Sequence, residues 1–240
     1  MAHLPFFFQE DVLRDGAALE LSEDTAKHVV QVLRKQEGDR IILSNGQGCS
    51  AEAEIVAVGK KRCSVQLGVV TVYSKPRFPL HLCIAFTKNA SRNEWLLEKA
   101  TELGVGSITP LISARTEREK FRTDRAQSIL ISAMLQSRQY FLPALNAPSP
   151  VEKVLEQYAH LEQKLIAHCD EQYAREVFGG VAQRDQETIV LIGPEGDFTE
   201  GEIAQAMEKG FKGISLCTQR LRTETAAMAV CAYFNLLNHA

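Results

Sequence analysis

Two stretches of the 240-residue chain hold polar residues at spacings that chemistry can use. The first runs Ile189-Val190-Leu191-Ile192-Gly193-Pro194-Glu195-Gly196-Asp197-Phe198-Thr199 and reads as a buried strand opening into a Gly-Pro-Glu-Gly turn. Gly193 and Gly196 permit close approaches of the backbone, and Glu195 between them would stand as a carboxylate at the mouth of a sheet. A plain tight turn carrying a surface acid would have the same sequence. The second stretch, Ile214 to Ala227, sets Arg220, Leu221 and Arg222 between a strand end and the start of an apolar helix. Two arginines so placed suit a phosphate or a developing anion as well as plain solvated surface. Thr223 suits an N-cap, and Glu224 suits the positive end of the helix dipole. Both stretches fall at carboxyl ends of predicted strands, where open α/β sheets bind their ligands.

The familiar signatures of other chemistries are missing. There is no GxxxxGK[ST], HExxH or GxSxG, and Gly46-Gln47-Gly48 sits in a hairpin rather than on a strand-to-helix turn. The six cysteines show neither CxxC pairing nor zinc-ligand spacing, so no metal site is expected. Among the six histidines only His168, at the end of an apolar strand, draws notice, and a satisfied core histidine is its simpler reading. Hydrophobic residues make up 45% of the chain and charged residues 24%, with a mean hydropathy of -0.13, as in globular domains. No run of about 18 apolar residues encodes a membrane span, and Met1 to Asp11 lacks a basic leader, so a soluble, cytoplasmic protein is expected. Charge is balanced over residues 1–78, basic over 79–138 and acidic over 139–240. The basic run Arg115 to Arg125, which includes Arg118 and Arg122, is enough for a local phosphate contact.

The elements that must position these residues follow from periodicity. Residues 39–44, 51–58 and 62–72 alternate as strands, with Asn45-Gly46 as a hairpin turn. Ser22 caps a helix whose Ala26, Val29, Val30 and Leu33 recur at helical spacing. Pro76 and Pro79 mark a linker. Beyond it come a strand at 80–86, a helix capped by Ser91, and strands at 107–112, 164–169, 188–192 and 213–216. Thr199-Glu200-Gly201-Glu202 is a capping box, with Gly210 ending that helix. The alternation predicts an α/β fold with a five-stranded, mainly parallel sheet covered by helices, preceded by a small β-rich domain.

LIGPEGDFT and LRTETAA, in this order near the C-terminus, resemble the RsmE family of SPOUT-class RNA methyltransferases. His28-Val29-Val30-Gln31-Val32-Leu33-Arg34, the helix Arg92 to Val105 and Ile108-Thr109-Pro110-Leu111 agree, so the similarity runs nearly end to end. The resemblance implies a PUA-like RNA-binding β-barrel over residues 1–73 and a SPOUT methyltransferase domain over 74–240 whose parallel sheet ends in a trefoil knot. It implies a homodimer without a metal that uses S-adenosylmethionine to methylate N3 of a uridine in 16S rRNA of the small ribosomal subunit. By motif, the cofactor would meet His168, Leu191, Gly193, Pro194, Glu195, Gly196, Leu216, Cys217, Leu221 and Thr223. Cys217 stands where the family usually has glycine, and Gln136-Ser137-Arg138 only partly matches the family's pattern.

Uridine N3 is a poor nucleophile until its proton leaves, which gives Arg222 the expected task of stabilising charge on the uracil and Glu224 or Glu195 that of taking the proton. Arg34, Lys35, Arg115, Arg118 and Arg122 are the expected phosphate contacts. A related enzyme acting on a ribose hydroxyl or another base, or a ribosome-assembly protein doing no chemistry, would share much of this pattern.

Overall fold

The computed structural model describes residues 4–11, 13–59, 61–117 and 121–239. The chain divides into two compact units, Met1–Lys75 with Ile131–Leu142, and Pro76–Leu130 with Pro143–Ala240.

In the first unit β1 (Phe6–Phe8), β2 (Ala18–Glu20), β3 (Arg40–Ser44), β4 (Cys49–Val58) and β5 (Cys63–Val72) form a sheet in the order β1-β3-β4-β5-β2. Only β1 and β3 are parallel. Period-2 alternation buries Cys63, Val65 and Leu67 of β5 against Ile41, Leu43 and Ile55. Helix α1 (Glu23–Lys27) is capped by Ser22, whose hydroxyl accepts from the Thr25 N–H. The chain then passes into a π-helical turn, His28–Val32, in which the Leu33 N–H donates to the His28 carbonyl. That wider turn breaks the 3.6-residue period, so Val29 is fully buried whereas Leu33 is turned outward.

Asn45-Gly46 does not make a two-residue turn. Residues 45–48 form a longer loop, in which the Asn45 Oδ1 accepts from the Gln47 and Cys49 N–H groups and Gly46 and Gly48 both have positive φ. The loop is held by the returning segment Ile131–Leu142: the Leu142 N–H donates to the Gly46 carbonyl, and the Gly48 N–H to that of Tyr140. Tyr140 also stacks on Tyr73 at 3.7 Å between ring centroids.

The second unit is built on a parallel sheet. Its five longer strands are β6 (Leu80–Ile84), β7 (Ser107–Ile112), β10 (Gln163–Ala167), β12 (Thr188–Ile192) and β13 (Lys212–Ser215), and short pieces β8 (Ala144–Leu145), β9 (Ser149–Pro150) and β11 (Glu176–Val177) extend it. The order is β11-β13-β10-β12-β6-β7-β8, with β9 also on β7. Every residue of β12 is buried, as a central strand covered on both faces requires. The helices are α2 (Ala90–Glu102), α3 (Thr123–Gln136), α4 (Val151–Gln157), α5 (Phe178–Val181), α6 (Glu200–Glu208) and α7 (Thr223–His239), of which α3 begins in this unit and ends in the other. Ile166, Ile189 and Leu191 pack with Val154 and Leu155 of α4 and Ile203 and Ala206 of α6. Helix α7 lies against β6 and β12, and α2 packs on α7.

The starts of α6 and α2 are fixed by side chains. The capping box at Thr199 and Glu202 is complete, and the other oxygen of Glu202 accepts from the Ala114 N–H at 2.8 Å, tying the loop after β7 to α6. The cap of α2 is Asn89 rather than Ser91, two residues earlier than expected, because its side chain is the one that reaches the Arg92 N–H. One turn on, the buried Asn93 accepts from the N–H and hydroxyl of Thr87 and donates to the Thr87 carbonyl, binding α2 to the loop after β6.

Removing that amide would leave buried groups of Thr87 unpaired. Asn93→Ala should therefore cost roughly 1–3 kcal/mol, read as a lower urea midpoint with an unchanged m-value.

Candidate active-site cleft

The strand order puts β10 between β13 and β12, so the loops that follow β12 and β13 meet over its end. Thr223, the first residue of α7, donates its hydroxyl to the Gly193 carbonyl at 3.2 Å and joins the two loops. Between them lies a cleft of about 610 Å³ lined by Ala167–Cys169, by Ile192–Glu195 and by the segment Ile214–Thr223.

Of the residues expected to hold a cofactor, His168, Gly193, Pro194, Glu195, Leu216, Cys217, Leu221 and Thr223 line this cleft, as does Arg222. Leu191 and Gly196 do not. Leu191 is wholly buried in the core, leaving Ile192, the next residue, on the cleft side. Gly196 is exposed, and its carbonyl is taken by Arg115, whose guanidinium donates to it at 2.8 Å and to the Phe198 carbonyl at 3.3 Å. Arg115 thus braces the Gly-Pro-Glu-Gly turn. Of the other expected phosphate contacts, Arg34 and Arg122 are exposed, Lys35 pairs with Asp39 at 3.7 Å, and Arg118 lies outside the described residues.

Glu224 is not in the cleft lining; it is buried behind it, with one carboxylate oxygen unpartnered among the described residues. Its other oxygen lies 3.5 Å from the Arg92 Nε, while the Arg92 Nη1 lies 3.8 Å from Glu195. The loops after β12 and β13 are therefore linked a second time, through α2. Arg92 occupies the first turn of α2, a place the helix dipole disfavours for a cation, and the two carboxylates offset that cost. Asp197 also escaped the sequence reading: at φ 63 it turns the loop, and its Oδ2 accepts from the Cys169 N–H at 2.7 Å. An acid at positive φ is itself a sign of a local hydrogen-bonding task.

His168 is buried, and neither ring nitrogen has a partner among the described residues. Its backbone carbonyl accepts from Arg175. Burial outweighs the pull of the Asp197 and Asp170 carboxylates and holds the imidazole pKa below its ordinary 6.5. Gly213 of β13 makes room for the ring: a Cβ there would lie 2.6 Å from the Nε2.

The chain as a whole is similar to known RNA methyltransferases. A family model described as an RNA methyltransferase domain matches residues 74–235, and one described as an RNA methyltransferase PUA domain matches residues 21–68. The chain is 24% identical to the ribosomal RNA small subunit methyltransferase E of Bacillus subtilis (strain 168), covering 90% of this chain and 89% of that protein. Among solved structures, a probable rRNA-methyltransferase from Porphyromonas gingivalis is 35% identical over 98% of both chains, with a TM-score of 0.91. A ribosomal RNA small subunit methyltransferase E from Neisseria gonorrhoeae, bound to S-adenosyl methionine, is 29% identical over 98% of both chains, with a TM-score of 0.86.

The lowered His168 pKa sets a pH dependence. Between the ordinary value of 6.5 and the lower native value, the unfolded chain binds a proton that the native ring refuses, so this contribution to stability is complete above pH 6.5 and is lost as pH falls below it. His168→Gln should lose less stability than the parent chain between pH 7.5 and about pH 5, measured as urea midpoints.

Proposed function

The chain belongs to the RsmE family of RNA methyltransferases, and we propose that it methylates N3 of one uridine in small-subunit ribosomal RNA, with S-adenosylmethionine as donor. The observation that carries this reading is the cleft in which two loops, joined by Thr223 and Gly193, gather Glu195 and Arg222 at the end of a parallel sheet. The residues present fit the donor. Ile192, Ile214 and Leu216 offer apolar wall, and the buried His168 brings ring nitrogens left without a partner among the described residues. Its volume is within the range of small-molecule sites. His168, Gly193, Leu216, Leu221 and Thr223 are the residues we assign to holding S-adenosylmethionine. When bound, that group supplies a methyl on a positively charged sulfur, which leaves as a neutral thioether.

Everything else falls to the chain. The target base must be unstacked to reach the cleft. Arg222, exposed at the rim, stabilises negative charge on the uracil carbonyl oxygens as the N3 proton departs, and a carboxylate, Glu195 or Glu224, receives that proton. The PUA domain and the cations Arg34 and Lys35 fit contacts to phosphate, which orient the RNA without reading its sequence. We further assign a homodimer working in the cytoplasm, with the C-terminal domain tied in a trefoil knot. For the dimer, α2 and α7 pack together, yet each leaves a large apolar residue outside, Trp95 at 45% and Leu236 at 65% exposure.

Single-turnover methylation of unmodified 30S particles tests the assignment of Arg222. Arg222→Ala should slow the reaction by about 10²–10³-fold, with cofactor affinity by calorimetry much less affected. Arg222→Lys, which keeps the charge but not the planar fork, should recover only part of the rate. Mapping the methyl group by mass spectrometry checks the acceptor atom, and a 26.7 kDa particle by light scattering at micromolar concentration would contradict the dimer.

A further inference from the structure

We propose that Arg92 is a positioning residue through which the buried Glu224 aims Glu195 into the cleft, making Glu195 the carboxylate that receives the N3 proton; this rests on the methyl-transfer reading given above. Three side chains on three elements meet. Arg92 comes from the first turn of α2, Glu195 from the loop after β12, and Glu224 from the first turn of α7. Their exposures give each a different task. The Glu224 side chain is only 10% exposed and fixed in a helix, the Arg92 side chain is 33% exposed, and Glu195, at 50%, is the carboxylate that lines the cleft.

A guanidinium is planar and presents its donors as a fork, so engaging one carboxylate fixes the direction of the donors left for the next. Here the Nε faces Glu224 at 3.5 Å and the Nη1 faces Glu195 at 3.8 Å. Both separations leave room to tighten when a base fills the cleft, as hydrogen bonds in ligand-free sites commonly do. The anchor is rigid at both ends. Arg92 donates its N–H to the Asn89 cap, Asn93 beside it is locked to Thr87, and Thr223 beside Glu224 is held on Gly193. Glu195, in contrast, sits on an exposed turn, and a carboxylate on such a turn needs a fixed partner to hold one direction.

In the step itself, the N3 proton passes to a Glu195 oxygen. The electron pair left on N3 forms the bond to the methyl carbon, and the pair of the broken carbon–sulfur bond stays on sulfur. One carboxylate and one sulfonium charge are thereby neutralised together, and no oxidant or reductant is required.

The test is a mutant cycle in single-turnover methylation of 30S particles at saturating RNA and cofactor. Glu195→Gln should slow the reaction by about 10²-fold or more. Arg92→Ala should slow it by about 10–50-fold in the parent chain but by less than about 2-fold in a Glu195→Gln background, because Arg92 acts only through Glu195. Arg92→Lys should recover part of the rate, and cofactor affinity should stay within about 3-fold throughout, showing that each variant folds and loads. Equal losses from Arg92→Ala in both backgrounds would overturn the proposal, as would a near-parental rate for Glu195→Gln or a loss confined to cofactor affinity. Mass spectrometry of the parent product separates the two readings. A methyl group found at an atom other than N3 overturns the assigned acceptor, while the cycle, scored on whatever product forms, still judges Arg92.

Discussion

The site depends on one hydrogen bond, from the Thr223 hydroxyl to the Gly193 carbonyl. The two residues follow strands that are not neighbours, since β10 lies between β12 and β13. Any link between the loops must therefore pass over the end of β10, and what lies beneath becomes interior. His168, the first residue beyond β10, is buried and lines the cleft that the bridge leaves open. Because Thr223 also begins α7, the same contact sets where that helix starts and hence where Glu224 stands.

Enclosure of this kind constrains the residues around it. A Cβ on Gly213 would approach the Ala174 carbonyl to 2.5 Å as well as the His168 ring, so β13 passes His168 as bare backbone. Gly193 is similarly close to the Phe198 ring, with 3.0 Å to a Cβ. Neither glycine has positive φ; close approach, not backbone conformation, accounts for both. On the other side of the turn Asp197 does take positive φ, and it repays the strain by accepting from both the Cys169 and the Phe198 N–H groups.

What could be read in the sequence divides along the range of the forces involved. Strands β7 and β12 fall where the apolar runs put them, since a strand buried on both faces is marked by its own composition. The capping box at Thr199 is equally local and was equally visible. Thr223 shows the limit: its type and place suggested a cap, but the partner its hydroxyl found is 30 residues away. Ile131–Leu142 falls inside the 74–240 domain that the resemblance implied, and only its pairing with the 45–48 loop joins it to the first unit. In α1 the face expected from a 3.6-residue period fails at Leu33 because a single π-helical turn shifts the phase. The Gly-Pro-Glu-Gly turn and the arginine-bearing loop were both legible as site material; that α2 supplies the residue between their carboxylates was not, since no local pattern states which helix will lie beside which loop.

The arginines around the site show how a chain of net charge -3 can handle an RNA without a strongly basic surface. Three of them are spent on the protein itself. Arg115 holds the carbonyls of Gly196 and Phe198, Arg175 holds that of His168, and Arg92 stands between two carboxylates. Each fixes a loop through the directional donors of its fork, which a lysine ammonium would not reproduce. Arg220 and Arg222 are different: both are exposed and line the cleft within a C-terminal region rich in acids. A single pair of cations in acidic surroundings adds little to non-specific attraction for phosphate, which grows with the number of charges neutralised. Its effect is strongest on charge that forms within a few ångströms, which favours a base turned into the cleft over RNA backbone passing outside it.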